Sequence, residues 1–169
     1  INGDGRGDNE VYGEHIEVDY RGSQVTVETF LRVLEGRHEN DEQVPRSKRL
    51  MSDSDSNILL YLTGHGGMEF LKFQDSEELT GADLSDSIEQ MREKGRFNEM
   101  MVMVDTCQAA SLNLRIRSKG VLTIGGADAG ENSYSYKSDS ALGLAVIDRF
   151  TFHTLSFFEK RSLENPGSI

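Results

Sequence analysis

Two strand-length apolar runs constrain the fold of this chain more than any other feature. The first run extends from Asn57 to Thr63, and the second extends from Glu99 to Asp105. Near-continuous apolar runs of this length are typical of strands that are buried on both faces of a parallel sheet. Between them, the segment from Thr80 to Gly95 has an N-terminal capping pattern and apolar residues at helical spacing. This order of strand, helix and strand predicts a βαβ unit with parallel strands side by side or nearly so.

Further segments extend the same pattern along the chain. Val121 to Ile124 predicts a third strand, Phe70 to Phe73 predicts a short edge strand, and Thr26 can cap a helix that ends near Gly36. Apolar side chains at helical spacing predict an amphipathic helix over residues 141–159. Strands that alternate with helices indicate an α/β fold with a mostly parallel sheet flanked by helices.

Composition excludes several classes of function. The formal net charge of -11 would repel a phosphate backbone, so we expect no nucleic-acid partner. No apolar run approaches the roughly 18 residues of a membrane span. The lone cysteine cannot form an internal disulfide, and the four histidines with this cysteine give no zinc-ligand spacing. We therefore predict no metal and no cofactor.

The chain is expected to form a single domain with two polar ends. Its 169 residues favour one domain over two. Residues 1–15 are rich in glycine and aspartate and predict a loose N-terminal segment, residues 16–160 carry the α/β pattern, and residues 161–169 form a C-terminal tail. Residues 37–56 predict a long polar loop.

A histidine and the only cysteine follow the two apolar runs directly. His65 lies in a Gly-His-Gly-Gly turn after the first run, and Cys107 follows the second run. Because parallel strands end at the same edge of a sheet, both residues should emerge where open α/β sheets place their ligand sites. A thiol beside an imidazole is a nucleophile with its base. The pattern predicts a cysteine enzyme with Cys107 as nucleophile and His65 as base.

Backbone groups near these residues suit the same chemistry. A thiolate that attacks a carbonyl creates an oxyanion, which needs prearranged hydrogen-bond donors. The N–H groups of Gly66 and Cys107 are the candidates, since glycines allow the main chain to approach a substrate closely. A short helix is expected just after Cys107. Further candidate substrate-binding residues are Gly67, Gln108, Gly125 and Gly126.

Other interpretations of the cysteine remain open at this point. Cys107 adjoins a strand of Met and Val residues and could be a core residue, as buried cysteines commonly are. A histidine flanked by glycines has little packing reason to exist, which favours catalysis. A tyrosine-phosphatase loop is excluded, because that loop needs an arginine where this chain has Asn113.

Two motifs carry a family resemblance. Thr63-Gly64-His65-Gly66-Gly67 and Asp105-Thr106-Cys107-Gln108-Ala109 resemble the histidine and cysteine motifs of the legumain-like branch of caspase-fold cysteine peptidases. Within that branch the chain is similar to the catalytic-subunit family of GPI-anchor transamidases, with further matches at residues 30–34, 45–50, 70–75 and 148–152. Legumains tend to carry Glu-Ala-Cys at the nucleophile, where this chain has Asp-Thr-Cys. The resemblance extends from about Val11 to Lys160.

The resemblance implies a caspase-like catalytic domain over residues 16–160 and a specific reaction. Members of this family act in the endoplasmic-reticulum lumen, in a membrane complex with other subunits. They remove a C-terminal signal peptide from precursor proteins and transfer the new carboxyl end to the amine of a GPI glycolipid. The alternatives are a legumain-like cysteine endopeptidase and a non-catalytic assembly module that keeps the fold.

The chain also departs from the family pattern. The resemblance implies strands upstream of Ile1, including a polar residue that helps to orient the catalytic pair, so we expect the domain to be incomplete at its N-terminus. The family's membrane helix after the domain is not in the sequence. At Gly125-Gly126-Ala127 the family pattern leads one to expect serines near the substrate, which leaves the substrate contacts there open.

Overall fold

The computed structural model describes residues 17–38 and 43–160. The predicted loose segment 1–15 and tail 161–169 lie outside the described residues, and the proposed domain bounds stay a prediction. Within the described residues no helix is both long and apolar enough to cross a membrane. The described part contains the following helices and strands, in chain order: α1 (Val27–Leu34), β1 (Asn57–Thr63), β2 (Gly66–Gly67), β3 (Phe70–Phe73), β4 (Glu77–Thr80), α2 (Gly81–Glu93), β5 (Glu99–Asp105), α3 (Ala109–Asn113), β6 (Val121–Gly125), β7 (Ser135–Asp139), β8 (Leu144–Asp148) and α4 (Arg149–Glu159).

The central sheet has the strand order β1-β5-β6, and its strands are parallel. Its first two strands have the bounds that the apolar runs predict. The strand β5 lies in the middle, and its Val102 and Val104 are fully buried. The α/β prediction with a mostly parallel sheet is therefore confirmed.

Helix α2 packs its apolar side chains against this sheet, and α1 packs against α2 and β4. The side chain of Thr80 accepts a hydrogen bond from the Asp83 N–H, while the Asp83 carboxylate accepts one from the Thr80 N–H, so a capping box starts α2. The helix buries Leu84, Ile88 and Met91 completely. These side chains form one core with residues of β4, β5 and α3.

A small antiparallel sheet of order β2-β3-β4 follows His65. The predicted strand Phe70 to Phe73 is present as β3, but it lies at the centre of this small sheet and not at an edge. The strands β2 and β4 were not predicted. Phe73 packs against Phe30 of α1, with ring centroids 5.5 Å apart. The small sheet thereby joins the histidine turn to the helical face of the core.

The prediction of one helix over residues 141–159 is wrong in its first half. Residues 144–148 form β8, which pairs with β7 in an antiparallel hairpin, and the helix α4 begins only at Arg149. Gly143 has a φ of 65°, a left-handed conformation that favours glycine and turns the chain. The Asp139 carboxylate accepts hydrogen bonds from the N–H groups of Ala141 and Leu142, which fixes the turn. Leu144 to Ile147 then continue as a strand, for which their β-branched residues are suited.

The opposite face of the sheet is more open near the amino ends of the strands. Leu59 and Leu122 are 55% and 54% exposed on the two outer strands. A groove of about 600 Å³ lies there, bounded on one side by Phe158 of α4. This groove is at the opposite edge of the sheet from His65 and Cys107.

Candidate active site

His65 and Cys107 occupy equivalent positions after neighbouring strands. The last residues of β1 and β5, Thr63 and Asp105, are register partners. His65 and Cys107 each follow their strand end by two residues. Adjacent strands are about 4.8 Å apart, so the two turns leave the sheet side by side at its carboxyl edge. His65 is exposed, and Cys107 is a partly exposed free thiol.

The histidine turn directs one backbone donor away from its partner strand β3. The Gly64 N–H donates to the Asp105 carbonyl at 3.2 Å, and the His65 carbonyl accepts from the Lys72 N–H at 2.8 Å. Hydrogen-bonded and non-hydrogen-bonded pairs alternate along an antiparallel ladder. Gly66, which pairs with Leu71 at the next position, therefore takes a non-hydrogen-bonded place, and its N–H points away from β3.

The cysteine turn has a different geometry. Gln108 has a left-handed φ of 55°, a sparsely populated conformation for a side chain of this size. Its N–H donates to the Glu131 carbonyl at 2.8 Å, and its carbonyl accepts from the Ser111 N–H at 2.9 Å. The predicted short helix after Cys107 is α3, which begins at Ala109. Because the Gln108 backbone is committed to these contacts, only its side chain is available for a substrate.

The two turns are packed directly against each other. A Cβ atom built on Gly66 would lie 2.5 Å from Thr106 Oγ1 and 2.6 Å from the Phe70 carbonyl oxygen. Both distances are far below van der Waals contact, so only glycine fits this position. The residue after the histidine thus lies against the residue before the cysteine.

A buried carboxylate with two hydroxyl donors lies at the end of β5. Asp105 is 1% exposed, and its two oxygens accept hydrogen bonds from Thr151 Oγ1 and, at 3.3 Å, from Ser133 Oγ. Tyr61 Oη lies 2.6 Å from Thr151 Oγ1. A threonine hydroxyl has one proton, so Tyr61 donates to Thr151 when Thr151 donates to Asp105. This chain of hydrogen bonds fixes α4 over the carboxyl edge of the sheet.

Comparisons with known proteins identify the family. The model of the peptidase C13 family matches residues 4–166. The chain belongs to the peptidase C13 family. It is 54% identical over 152 residues to a protein from Schizosaccharomyces pombe named GPI-anchor transamidase, with 90% of this chain and 40% of that protein covered.

Two further relatives carry the same name. The protein from Homo sapiens is 52% identical over 158 residues, with 94% of this chain and 39% of that protein covered. The protein from Saccharomyces cerevisiae is 50% identical over 151 residues, with 89% of this chain and 36% of that protein covered. This C13 chain therefore spans about two fifths of the length of the curated relatives that it matches.

The glycines at the end of β6, Gly125 and Gly126, have packing roles in this C13 chain. A Cβ atom on Gly125 would lie 2.8 Å from the Ala110 nitrogen, at the start of α3. A Cβ atom on Gly126 would lie 3.0 Å from Phe150 and 3.1 Å from an Asp105 oxygen. Both glycines let α3 and α4 approach the strand end closely. Their contact with a substrate, like that of the buried Gly67, stays a prediction.

Electrostatics at the edge of the sheet couple four ionisable side chains, Asp105, Asp148, His65 and Tyr61. Burial raises the pKa of Asp148, the negative charge of Asp105 raises it further, and the charge of His65 opposes this rise. Burial also raises the pKa of Tyr61, against the effect of its hydrogen bond with Thr151 and with a smaller contribution from Asp105. Asp148 thus interacts electrostatically with both Asp105 and His65.

Sequence reasoning did not identify the hydroxyl network around Asp105. Its members Tyr61, Ser133 and Thr151 are far apart in the sequence and have no motif in common. The available signal was a carboxylate at the end of an apolar strand, a position at which a buried charge requires partners. Across residues 17–38 and 43–160, no group of three or more His, Cys, Asp or Glu side chains could hold a metal ion.

Proposed function

We propose that this chain is the catalytic part of a GPI-anchor transamidase that uses Cys107 as nucleophile and His65 as base. The observation that carries the proposal is the equal offset of the two residues from register-paired strand ends. This placement supports a thiol and an imidazole acting on one substrate group. The choice of transamidase rests on relatives of 50% to 54% identity that carry this name.

The first half of the reaction forms a thioester. His65 takes the proton of the Cys107 thiol, because the thiolate and not the thiol is the nucleophile. The thiolate attacks the carbonyl carbon of the small residue that precedes the C-terminal signal of the precursor. The N–H groups of Gly66 and Cys107 donate to the resulting oxyanion. When the tetrahedral species collapses, protonated His65 gives its proton to the departing amine of the signal peptide.

The second half transfers the acyl group. The amine of the GPI glycolipid attacks the thioester carbonyl while His65 accepts a proton from it. The carbon–sulfur bond then breaks, and the Cys107 thiolate is released for the next cycle. Hydrolysis by water competes at this step, so a transferase must position the amine, for which effective molarities of about 10⁵ M or more are attainable.

The proposed setting follows from the family resemblance. We place the enzyme on the lumenal side of the endoplasmic-reticulum membrane, in a complex whose other subunits help to bind the glycolipid. Its partners are precursor signal peptides, the GPI glycolipid and those subunits. The reaction as written uses no cofactor.

The test is the fate of the acyl group in the assembled complex with the full-length catalytic chain. A precursor peptide and a small amine, such as hydrazine, are supplied in place of the glycolipid. We expect mainly the amine adduct, and no product with Cys107→Ala. Brisk cleavage that ignores the amine would replace this proposal with a legumain-like endopeptidase. If a thiol-reactive peptide probe fails to label Cys107, the non-catalytic assembly module would be favoured.

A further inference from the structure

Thr106 is a buried residue with an unusual polar environment. It precedes Cys107, is 2% exposed, and sits at the same edge of the sheet as the two turns. Within the described part of the chain its hydroxyl oxygen has no hydrogen-bond partner. A buried hydroxyl without a partner destabilises the folded state relative to an apolar side chain of the same shape. The cost of burying this hydroxyl must therefore be offset by what the side chain contacts.

The Thr106 hydroxyl lies against the backbone of Gly66. A Cβ atom built on Gly66 would lie 2.5 Å from Thr106 Oγ1 and 3.1 Å from Thr106 Cγ2. One Cα–H bond of Gly66 points along this direction, so it faces the oxygen in a weak polar contact of the Cα–H···O kind. The Phe70 carbonyl oxygen belongs to β3 and lies 2.6 Å from the same built Cβ position, so it also packs against Gly66. Thr106 and β3 thus pack together against the same side of Gly66 and limit its movement in that direction.

The size of the contacting atom explains why threonine suits this position. A methyl group is bulkier than an oxygen and would press on Gly66 at this separation. A smaller residue, such as alanine, would leave Gly66 without support on this side. Close-packed interiors respond to changes of a single methyl group in this way.

We propose that Thr106 is a positioning residue that fixes the Gly66 N–H relative to the Cys107 N–H, so that both donors meet one oxyanion. This inference rests on the proposed function of Cys107 and Gly66. Thr106 precedes Cys107 in the chain and contacts Gly66 through its side chain, so it links the two donors by a rigid path. Oxyanion donors act only within a narrow range of distances, and small displacements are costly to the rate.

The test compares substitutions of Thr106 in the full-length protein within its complex. The variants are Thr106→Ala, Thr106→Ser and Thr106→Val, with Thr123→Ala as the matched control on the neighbouring strand β6. Two rates are measured for each. The first is kcat with KM for precursor cleavage, which forms an oxyanion. The second is alkylation of Cys107 by iodoacetamide, which needs the thiolate but forms no oxyanion.

We expect Thr106→Ala and Thr106→Val to lower kcat about tenfold, less than the roughly 10²–10³-fold loss on removal of a whole oxyanion donor. KM and the alkylation rate should stay within about twofold of wild type, since neither depends on the oxyanion. Thr106→Ser keeps the contacting oxygen and should restore kcat to within about threefold. Thr123→Ala should behave as wild type.

Three results would overturn the inference. These are a normal kcat in Thr106→Ala, a parallel fall in alkylation, or a serine variant as slow as the alanine variant. If Cys107→Ala has no cleavage activity while Thr106→Ala has the wild-type kcat, the role of Thr106 is overturned and the proposed function of Cys107 stands. A Cys107→Ala variant that kept its turnover would overturn the proposed function as well.

Discussion

Removing the Thr151 hydroxyl should destabilise the catalytic domain measurably, because this group donates to a buried carboxylate. Asp105 is 1% exposed, and among the side chains of residues 17–38 and 43–160 only Ser133, at 3.3 Å, still donates to it after Thr151→Val. Hydrogen bonds to charged groups contribute about 1.5–3 kcal/mol. Valine keeps the shape and β-branching of threonine, so the helix itself should be unaffected. A loss of about 2 kcal/mol lowers the folding equilibrium constant about 30-fold.

The direction of the hydrogen bonds sharpens this prediction. Tyr61→Phe removes the donor to Thr151 but leaves the contact between Thr151 and Asp105 intact. Its cost should therefore be smaller, about 1 kcal/mol or less. Both substitutions act on one network, so their effects should not add in the double variant.

Urea unfolding of the full-length chain gives the free energies, with Thr154→Val as the matched control on the same helix. We expect the order of destabilisation to be Thr151→Val, then Tyr61→Phe, then the control close to wild type. Equal stability of Thr151→Val and Thr154→Val would refute the role assigned to the Asp105 network. A larger effect of Tyr61→Phe than of Thr151→Val would contradict the assignment of Thr151 as the donor that stabilises Asp105.

Three further predictions concern the site itself. Gly66→Ala places a Cβ atom against Thr106 and the Phe70 carbonyl and should lower kcat roughly 10²–10³-fold; normal turnover would remove Gly66 from the oxyanion site. His65→Ala should slow both cleavage and Cys107 alkylation, with cleavage reduced about 10²–10⁴-fold; an unchanged alkylation rate would exclude His65 as the base. Asp148→Asn should stabilise the protein at pH 7. The pKa of Asp148 is raised in the folded state, so wild-type stability falls as pH rises above the unfolded value of about 3.9. The extra stability of Asp148→Asn should vanish below that pH. Urea midpoints are measured for both proteins between pH 3 and pH 7. A difference between the two midpoints that stays constant over this range would contradict the prediction.

The sequence predicted the central sheet well because its strands coincide with near-continuous apolar runs. The runs at Asn57 to Thr63 and Glu99 to Asp105 are too short for a typical helix, and their bounds match the strands. The capping box at Thr80 marked the start of α2 with the same clarity. Where burial and local hydrogen bonds agree, sequence patterns determine the element.

The hairpin before α4 could not be predicted in this way. Apolar positions Ile147, Phe150 and Phe157 fit a helical period, and nothing in that period marks where a strand gives way to a helix. The decision lies in the turn at Gly143 and in the hydrogen bonds of the Asp139 carboxylate. Periodicity alone does not resolve such a boundary.

The candidate site was only partly predictable. Strand ends placed His65 and Cys107 at one edge of the sheet, because parallel pairing fixes where strands finish. The contact between Thr106 and Gly66, and the network around Asp105, depend on side-chain packing between segments far apart in the sequence. Patterns within a single segment carry no information about such contacts.

Trapping the acyl intermediate on Cys107 tests the central claim most directly. The assembled complex, with the full-length catalytic chain, is incubated with a precursor peptide in the absence of any amine acceptor and is quenched in acid. Mass mapping of the peptide that contains Cys107 should show the acyl part of the cleaved precursor joined to sulfur, and Cys107→Ala should show no adduct and no released signal peptide. Release of the signal peptide from the Cys107→Ala variant would contradict the account.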